Sequence, residues 1–234
     1  MWSGPRNLST ALMRAWENRP DAMVLDEPLY AHYLATTGLD HPGRDEIMAN
    51  GPVGADAAVG RCLEPLPDGI TISYQKHMTH HLLASIDRSW LDQVRNFLLI
   101  RDPVAVLASY TQVRSEVTLD DLGLPQQIEL ASRAELVIDA ADFLTDPRAY
   151  LTTWCDHLGL ELTERMLSWP AGRRASDGCW APHWYGAVEA STGFGPAPDP
   201  LAAATVDDLP SPLRPLARDA TELYHQLRVG RLRL

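Results

Sequence analysis

Residues 3–10 combine the residue types that bind a phosphate group: a glycine, an arginine and three hydroxyl side chains, two of which, Ser9 and Thr10, end the segment. Apolar residues at helical spacing continue to Trp16, so we expect a helix that begins near Ser9 or Thr10. The unpaired amides of a helix start attract anions, and Gly4 lets the backbone approach one closely. A capped helix after an ordinary turn is the alternative. The candidate contacts are Ser3, Gly4, Pro5, Arg6, Asn7, Leu8, Ser9 and Thr10.

This loop differs from the phosphate-binding loop of ATPases, in which a glycine and a lysine precede Ser or Thr. No Gly-Lys pair stands before Ser9 and Thr10, and the sequence has no evident acidic motif for magnesium. Both observations count against a P-loop-type kinase. Arg6 is the only cation in the loop.

A second candidate anion site follows the apolar run 97–100, which reads as a buried strand. Arg101 comes directly after it, then Asp102 as a helix N-cap and Pro103 as the first helical residue. This order predicts an anion-binding turn with Arg101 at its mouth and Ser109 in the helix. The alternative is a surface or salt-bridged arginine.

Acid–base candidates follow two other predicted strands. Asp26 and Glu27 end the apolar run 23–25, and Lys76 and His77 come shortly after the β-rich run 70–74. Ligands of parallel sheets bind at the carboxyl ends of strands, which favours a functional role for the carboxylates over a solvated acidic turn. For Lys76 a surface lysine at the end of a strand is an equal alternative. His77, His80 and His81 have a spacing that could bind a metal, but no partnering Cys or carboxylate motif follows, so we expect no metal.

Strand-like and helix-like segments alternate along the chain, which predicts a three-layer α/β/α domain with a central parallel sheet. A further strand is expected at 136–138, and helices at 147–158 and about 211–227. Residues 38–60 show little periodicity and are expected to form a variable connection. We expect one domain over 1–234, in which the Pro- and Gly-rich segment 169–200 forms a lid.

Composition limits the partners. A formal charge of −11 argues against general nucleic-acid binding, which requires a basic surface. No apolar run approaches the ~18 residues that a membrane helix needs, and no signal peptide is evident, so we expect a cytoplasmic protein without a membrane partner. The three cysteines are widely spaced and odd in number, which predicts reduced thiols. The oligomeric state cannot be read from the sequence.

Together these segments resemble the sulfotransferases that use 3′-phosphoadenosine 5′-phosphosulfate (PAPS), a family with a P-loop-like α/β fold. The resemblance implies that the loop 3–10 holds the 5′-phosphosulfate end of PAPS. It also implies that Arg101 and Ser109, eight residues apart and with Pro103 between them, hold the 3′-phosphate. A late basic segment of the family closes over the nucleotide, and its pattern is similar to residues Arg173, Arg174, Gly178 and Trp180.

The resemblance further implies catalytic roles. Some bacterial members have a glutamate base at a position like Glu27, whereas animal members use a histidine, which leaves His77 open as the base. Arg6 stands where the family usually has a lysine, and we expect Arg6 and Lys76 to neutralise the bridging and terminal oxygens of the donor. The implied activity is sulfuryl transfer from PAPS to a hydroxyl or amine of a small molecule. A kinase and a non-catalytic nucleotide-binding protein are the alternatives.

Overall fold

The computed structural model describes residues 1–110, 117–199 and 203–234. The strands within these ranges are β1 (Trp2–Ser3), β2 (Ala22–Asp26), β3 (Ile72–Met78), β4 (Asn96–Ile100) and β5 (Ala134–Asp139). They form one parallel sheet in the order β2-β3-β1-β4-β5. The predicted parallel α/β fold is therefore confirmed, and all strands present their carboxyl ends at the same edge.

Helices lie on both faces of this sheet. Their bounds are α1 (Ser9–Glu17), α2 (Tyr30–Thr37), α3 (Arg44–Asn50), α4 (Ala55–Cys62), α5 (Pro103–Tyr110), α6 (Leu124–Leu130), α7 (Ala140–Thr145), α8 (Pro147–Leu158), α9 (Ala181–Trp184), α10 (Gly186–Glu189) and α11 (Arg214–Val229). Short 3₁₀ turns at 79–81, 89–93, 131–133, 164–167, 206–208 and 211–213 connect or precede them. Within the described ranges, every helix is too short or too polar to cross a lipid bilayer.

The side chains of β4 show how the sheet is covered. Phe97 and Leu99 join a hydrophobic cluster that includes residues of α1, α7 and α8, whereas Leu98 and Ile100 join a second cluster that includes residues of α5, α6 and α11. Successive side chains of a strand point to opposite faces, so this fully apolar strand is buried on both sides. The two clusters fill the interfaces between the sheet and the helices on its two faces, so the fold is an α/β/α sandwich.

β1 is short but central. Trp2 and Ser3 pair with β3 on one side and with β4 on the other. The backbone amide of His77 donates to the carbonyl of Met1 at 2.9 Å, which extends the ladder by one residue. The loop 3–10 therefore leaves the sheet at its central strand.

Two expectations differ from the structure. β3 continues through Lys76 and His77 to Met78, where the sequence suggested that the strand ended at Tyr74. Polar residues remain in this strand because long-range pairing and packing outweigh their weak β propensity. The segment 38–60 contains α3 and most of α4 and is not a variable connection. Both helices are short, with few buried residues, so their periodicity is faint.

Candidate functional site

A cavity of about 140 Å³ opens at the carboxyl ends of β1, β2 and β3. This is the edge at which parallel sheets bind ligands. The structure brings seven of the predicted site residues to its wall: Pro5, Arg6, Asn7, Ser9, Thr10, Glu27 and Lys76. Residues far apart in the chain thus surround one space.

The loop after β1 is held by its own side chains and by β4. Asn7 donates from Nδ2 to the carbonyl of Leu99 at 3.1 Å, and its Oδ1 accepts from the amide of Leu8 at 2.8 Å. Ser3 is fully buried, and Leu8 packs against the core. α1 begins at Ser9, and no side chain of the described residues caps its first amides. An uncapped helix start is a ready site for an anion.

Gly4 has a packing requirement that its sequence context did not indicate. A side chain at this position would place its Cβ 2.5 Å from the carbonyl oxygen of Leu122. A Cβ atom does not come this close to a carbonyl oxygen, so the position of the Leu122 backbone by itself requires glycine here. Room for a phosphate is not needed to explain it.

Two guanidinium groups meet beside the loop. Arg6 donates from Nε to the hydroxyl of Ser109 at 3.0 Å, and Arg101 donates to the backbone carbonyl of Arg6 at 2.6 Å. Burial and the positive charge of Arg6 lower the pKa of Arg101, although a guanidinium remains charged at neutral pH. Like charges at short range are unfavourable unless an anion joins them. Arg6 also has a positive φ of 53°, an uncommon conformation for a residue with a side chain.

Asp102 and Pro103 act as predicted. The backbone amide of Val104 donates to Asp102 Oδ1 at 2.8 Å, and α5 begins at Pro103. This cap fixes the direction in which the chain leaves β4. Arg101 is therefore held at the carboxyl end of the sheet, and the helix places Ser109 next to Arg6.

Lys76 is the centre of a buried polar network. Its ammonium donates to Asp26 Oδ1 at 3.0 Å, to Glu27 Oε1 and to the hydroxyl of Tyr185 at 2.6 Å. The Tyr185 hydroxyl also contacts Asp26 at 2.7 Å and accepts from Trp180 Nε1 at 3.1 Å. Burial alone would lower the pKa of Lys76, but the two carboxylates raise it above its ordinary value. All three ammonium hydrogens are thus engaged within the protein.

Glu27 is the member of this network whose position indicates a reaction. Its φ of 41° lies in the left-handed region, where residues with side chains are rare, and such strain is common at functional sites. The side chain is 8% exposed. Burial, opposed by the Lys76 ammonium and reinforced by the Asp26 charge, raises the pKa of Glu27 above its ordinary 4.5. A carboxylate with a raised pKa is a suitable general base.

His77 lies away from this site. Its ring stacks on Trp2 at a centroid distance of 4.2 Å, and its Nε2 lies 3.2 Å from Gln75 Oε1. It lines a different cavity, together with Trp90 and Asn96. Because Lys76 and His77 are neighbours in a strand, their side chains leave opposite faces of the sheet. The structure therefore brings Glu27 and Lys76 together but separates His77 from both.

These contacts can be compared with known proteins. Residues 1–221 match the family described as Sulfotransferase domain. The chain belongs to that family. Two solved sulfotransferase domains are similar in fold: the domain of the Synechococcus PCC 7002 olefin synthase has a TM-score of 0.56 and 20% identity, covering 96% of this chain and 92% of that one. The domain from the curacin biosynthetic pathway has a TM-score of 0.55 and 16% identity, covering 97% and 95%.

Two curated relatives of this sulfotransferase domain come from Arabidopsis thaliana. Branched-chain-amino-acid aminotransferase-like protein 2 is 34% identical over 199 residues, covering 82% of this chain and 35% of the relative. Branched-chain-amino-acid aminotransferase-like protein 1 is 36% identical over 199 residues, with coverage of 82% and 36%. The chain thus spans about a third of the length of the curated relatives it matches. Most of the sequence of each relative lies outside the matched part.

The late segment of the sulfotransferase domain docks on buried charges. Asp177 forms an ion pair with Arg14 of α1 at 2.6 Å, and neither side chain is exposed. The amide of Gly178 donates to Asp26 Oδ2 at 3.0 Å. A Cβ at Gly178 would lie 2.2 Å from the Trp180 ring, so a glycine is required there. The segment is thereby attached to both α1 and the end of β2.

The predicted contacts of this segment with a nucleotide remain predictions. Arg174 lies 3.9 Å from Glu17, and Arg173 lines a cavity on the β2 side together with Arg61. Trp180 is buried beneath Tyr30, with ring centroids 5.2 Å apart. These side chains lie outside the wall of the cavity of about 140 Å³, although Glu27 also lines the cavity that holds Arg61, Arg173 and Trp180.

Three residues at the site were not among the predicted catalytic or donor-binding ones. Asp26 was noted as a strand-end carboxylate, and its place beside Glu27 was the available signal. His81 was noted as a possible metal ligand, and it lines the cavity with Glu27. Tyr185 lies in an irregular aromatic segment, and no sequence pattern indicates that its hydroxyl reaches Lys76. The described part of the chain holds no cluster of three or more side chains suited to a metal ion.

Proposed function

We propose that this sulfotransferase domain transfers a sulfuryl group from PAPS to a hydroxyl or amine of a small molecule. The observation that carries the proposal is the pairing of two sites across one cavity edge. A cluster of Arg6, Arg101 and Ser109 stands beside the uncapped start of α1, and Arg6 shares a cavity wall with the buried base candidate Glu27. Such an arrangement suits a donor with two phosphate positions and an acceptor that must lose a proton.

The residues present fit PAPS. Arg101 and Ser109 would hold its 3′-phosphate, and Arg6 with the amides and hydroxyls at Ser9 and Thr10 would hold the phosphosulfate end. Bound PAPS supplies the sulfuryl group, which forms a bond to the acceptor as its bond to the phosphate oxygen breaks. The positive charge of Arg6 and the unpaired amides at the start of α1 offset the negative charge that develops on that phosphate.

Glu27 is the group that accepts the acceptor's proton. Lys76 orients it, because one ammonium hydrogen bonds Glu27 Oε1 while Asp26 and Tyr185 fix the ammonium from other directions. This differs from the expectation that Lys76 neutralises donor oxygens by direct contact. With its hydrogens engaged, Lys76 contributes its charge and its hold on Glu27.

The pH dependence of turnover tests this assignment. Glu27 must be ionised to accept a proton, so kcat should fall as the pH falls through a pKa above 4.5. The groups that face this carboxyl are Asp26, Lys76, His81 and Tyr185. A kcat that stays constant from about pH 7 down to 4.5 would contradict the role of Glu27 as base.

The donor site is tested by thermal stabilisation with 3′-phosphoadenosine 5′-phosphate (PAP), the product of the donor. At a ligand concentration ~100 times the Kd, a specific site adds about 2.7 kcal/mol of apparent stability. We expect PAP to stabilise the wild type more than ADP or ATP does. Arg101→Ala should lose this selectivity because it removes a guanidinium that faces the 3′-phosphate.

Arg95→Ala is the matched control. Arg95 precedes the same strand at its other end and pairs with Glu135 at 2.5 Å on the surface. Its replacement should leave the PAP-selective shift intact. Equal stabilisation by ATP and PAP would instead favour a kinase, and a PAP-selective shift without transfer of labelled sulfate to any acceptor would favour a non-catalytic nucleotide-binding protein.

A further inference from the structure

The cavity wall contains a gap between Glu27 and a histidine that the proposed chemistry has not used. His81 Nδ1 lies 3.9 Å from Glu27 Oε2, which is too far for a hydrogen bond. This nitrogen is buried and has no hydrogen-bond partner among the described residues, and the side chain is 2% exposed. A buried polar atom without a partner is unfavourable and points to a group that is bound there in function.

The ring of His81 is held firmly in this position. It stacks on Tyr30 at a centroid distance of 4.5 Å and an interplanar angle of 13°, and it packs on Tyr33 at 4.6 Å. Burial, helped by the neighbouring His80, His41, Lys76 and His77, lowers the pKa of His81 well below its ordinary 6.5. The ring is therefore neutral, with one nitrogen that donates a hydrogen and one that accepts.

We propose that His81 Nδ1 and Glu27 Oε2 together bind the nucleophilic hydroxyl or amine of the acceptor. An atom placed ~2.8 Å from both would make two hydrogen bonds at an angle of roughly 90° across the 3.9 Å gap. Lys76 already bonds the other Glu27 oxygen, so Oε2 is the oxygen that remains for the acceptor. This inference rests on the proposed function, because it assigns the acceptor subsite of the same cavity.

The two residues have different tasks at this subsite. The acceptor's proton passes to Glu27 as the new bond to sulfur forms. His81 gives up no proton and gains none. It fixes the orientation of the attacking atom, and such alignment is a large part of the rate advantage of an enzyme. His77, which the sequence left open as the base, does not contact this subsite, since it lines the cavity beside Trp90.

Two substitutions separate this role from simple filling of space. The amide of Asn is as many bonds from the backbone as Nδ1 of histidine, whereas the amide of Gln reaches one bond further. We expect His81→Asn to keep kcat/KM for the acceptor within about threefold, and His81→Gln to lower it about ten- to a hundredfold, as for a lost hydrogen bond. PAP binding should be unchanged in both. His157→Gln, a change at a surface histidine, is the control.

The probes are 2-phenylethanol and 2-phenylethylamine, a matched hydroxyl and amine acceptor. Reactions without either probe, in which water is the acceptor, give the background rate. Turnover is followed as release of PAP from PAPS. Equal losses in the Asn and Gln variants, or wild-type activity in the Gln variant, would overturn the proposal. Absence of a PAP-selective shift in the wild type would instead overturn the proposed function, whatever the variants show.

A second measurement uses the wild type alone and does not depend on folding of a variant or on turnover. Histidine nitrogens are observed by NMR in isotope-labelled protein saturated with PAP. Addition of either organic probe should move the Nδ1 resonance of His81 and leave that of His157 in place. A His81 resonance unchanged by both probes would exclude the contact, and the probe that moves it shows whether the subsite takes a hydroxyl or an amine.

Discussion

Glu27→Gln is expected to lower kcat about 10²–10⁴-fold, the usual contribution of a general base, while PAP binding persists. The amide keeps the size of the side chain but cannot accept the acceptor's proton. Lys76 keeps its bonds to Asp26 and Tyr185, so the polar network retains its main ion pair. The loss should therefore appear in turnover and not in the donor site.

The measurement is single-turnover transfer of labelled sulfate, with PAP-dependent thermal stabilisation recorded for the same preparations. Glu164→Gln is the control, since this carboxylate is 75% exposed and pairs with Arg148 away from the cavity. Full activity in Glu27→Gln would remove Glu27 as the base. A variant that loses PAP binding along with activity would show that the residue supports the donor site.

Asp177→Asn is expected to lower the free energy of unfolding by about 3–5 kcal/mol. Asp177 and Arg14 form an ion pair in which neither side chain is exposed, and the Arg14 Nη2 donates to Asp177 Oδ2 at 2.7 Å. Removing the carboxylate leaves the buried guanidinium with only the more distant Glu17, at 3.7 Å, as a counter-charge. Replacing both partners by apolar side chains should lower the free energy of unfolding by less, because no unpaired charge then remains buried.

Urea unfolding of three variants, each compared with the wild type, tests this expectation. Asp207→Asn is the surface control, because that carboxylate is 84% exposed and 3.9 Å from Arg214, and such pairs contribute at most about 1 kcal/mol. The double variant Arg14→Met/Asp177→Leu should be more stable than Asp177→Asn. If Asp177→Asn unfolds like Asp207→Asn, then the late segment is not held by this ion pair.

The strongest sequence predictions concern local patterns. The run 97–100, the cap at Asp102 and the start at Pro103 all lie within one short segment, and the structure contains β4, the Asp102 cap and α5 in this order. α8 also spans Pro147–Leu158 as predicted, between a proline that starts it and Gly159 in a left-handed conformation that ends it. Neighbouring residues suffice to specify such features.

Weaker patterns failed for physical reasons. The helices α3 and α4 bury only a few residues, so their sequences lack a clear apolar stripe. The role of Gly4 in donor binding remains a prediction, and the structure adds a second requirement for glycine there, the Leu122 carbonyl, more than a hundred residues away in the chain. No local pattern records such a contact.

The sequence by itself determined the parallel α/β class, the two strand–turn–helix segments that carry Arg6 and Arg101, and the carboxylate at the end of β2, because each follows from periodicity or from residues adjacent in the chain. Only the tertiary structure decided which histidine accompanies Glu27. The pairing of β3 carries the strand past Lys76, which turns His77 toward Trp2 and lets the following turn bring His81 to the cavity. Strand register and long-range packing set such choices, and neither can be read from spacing alone.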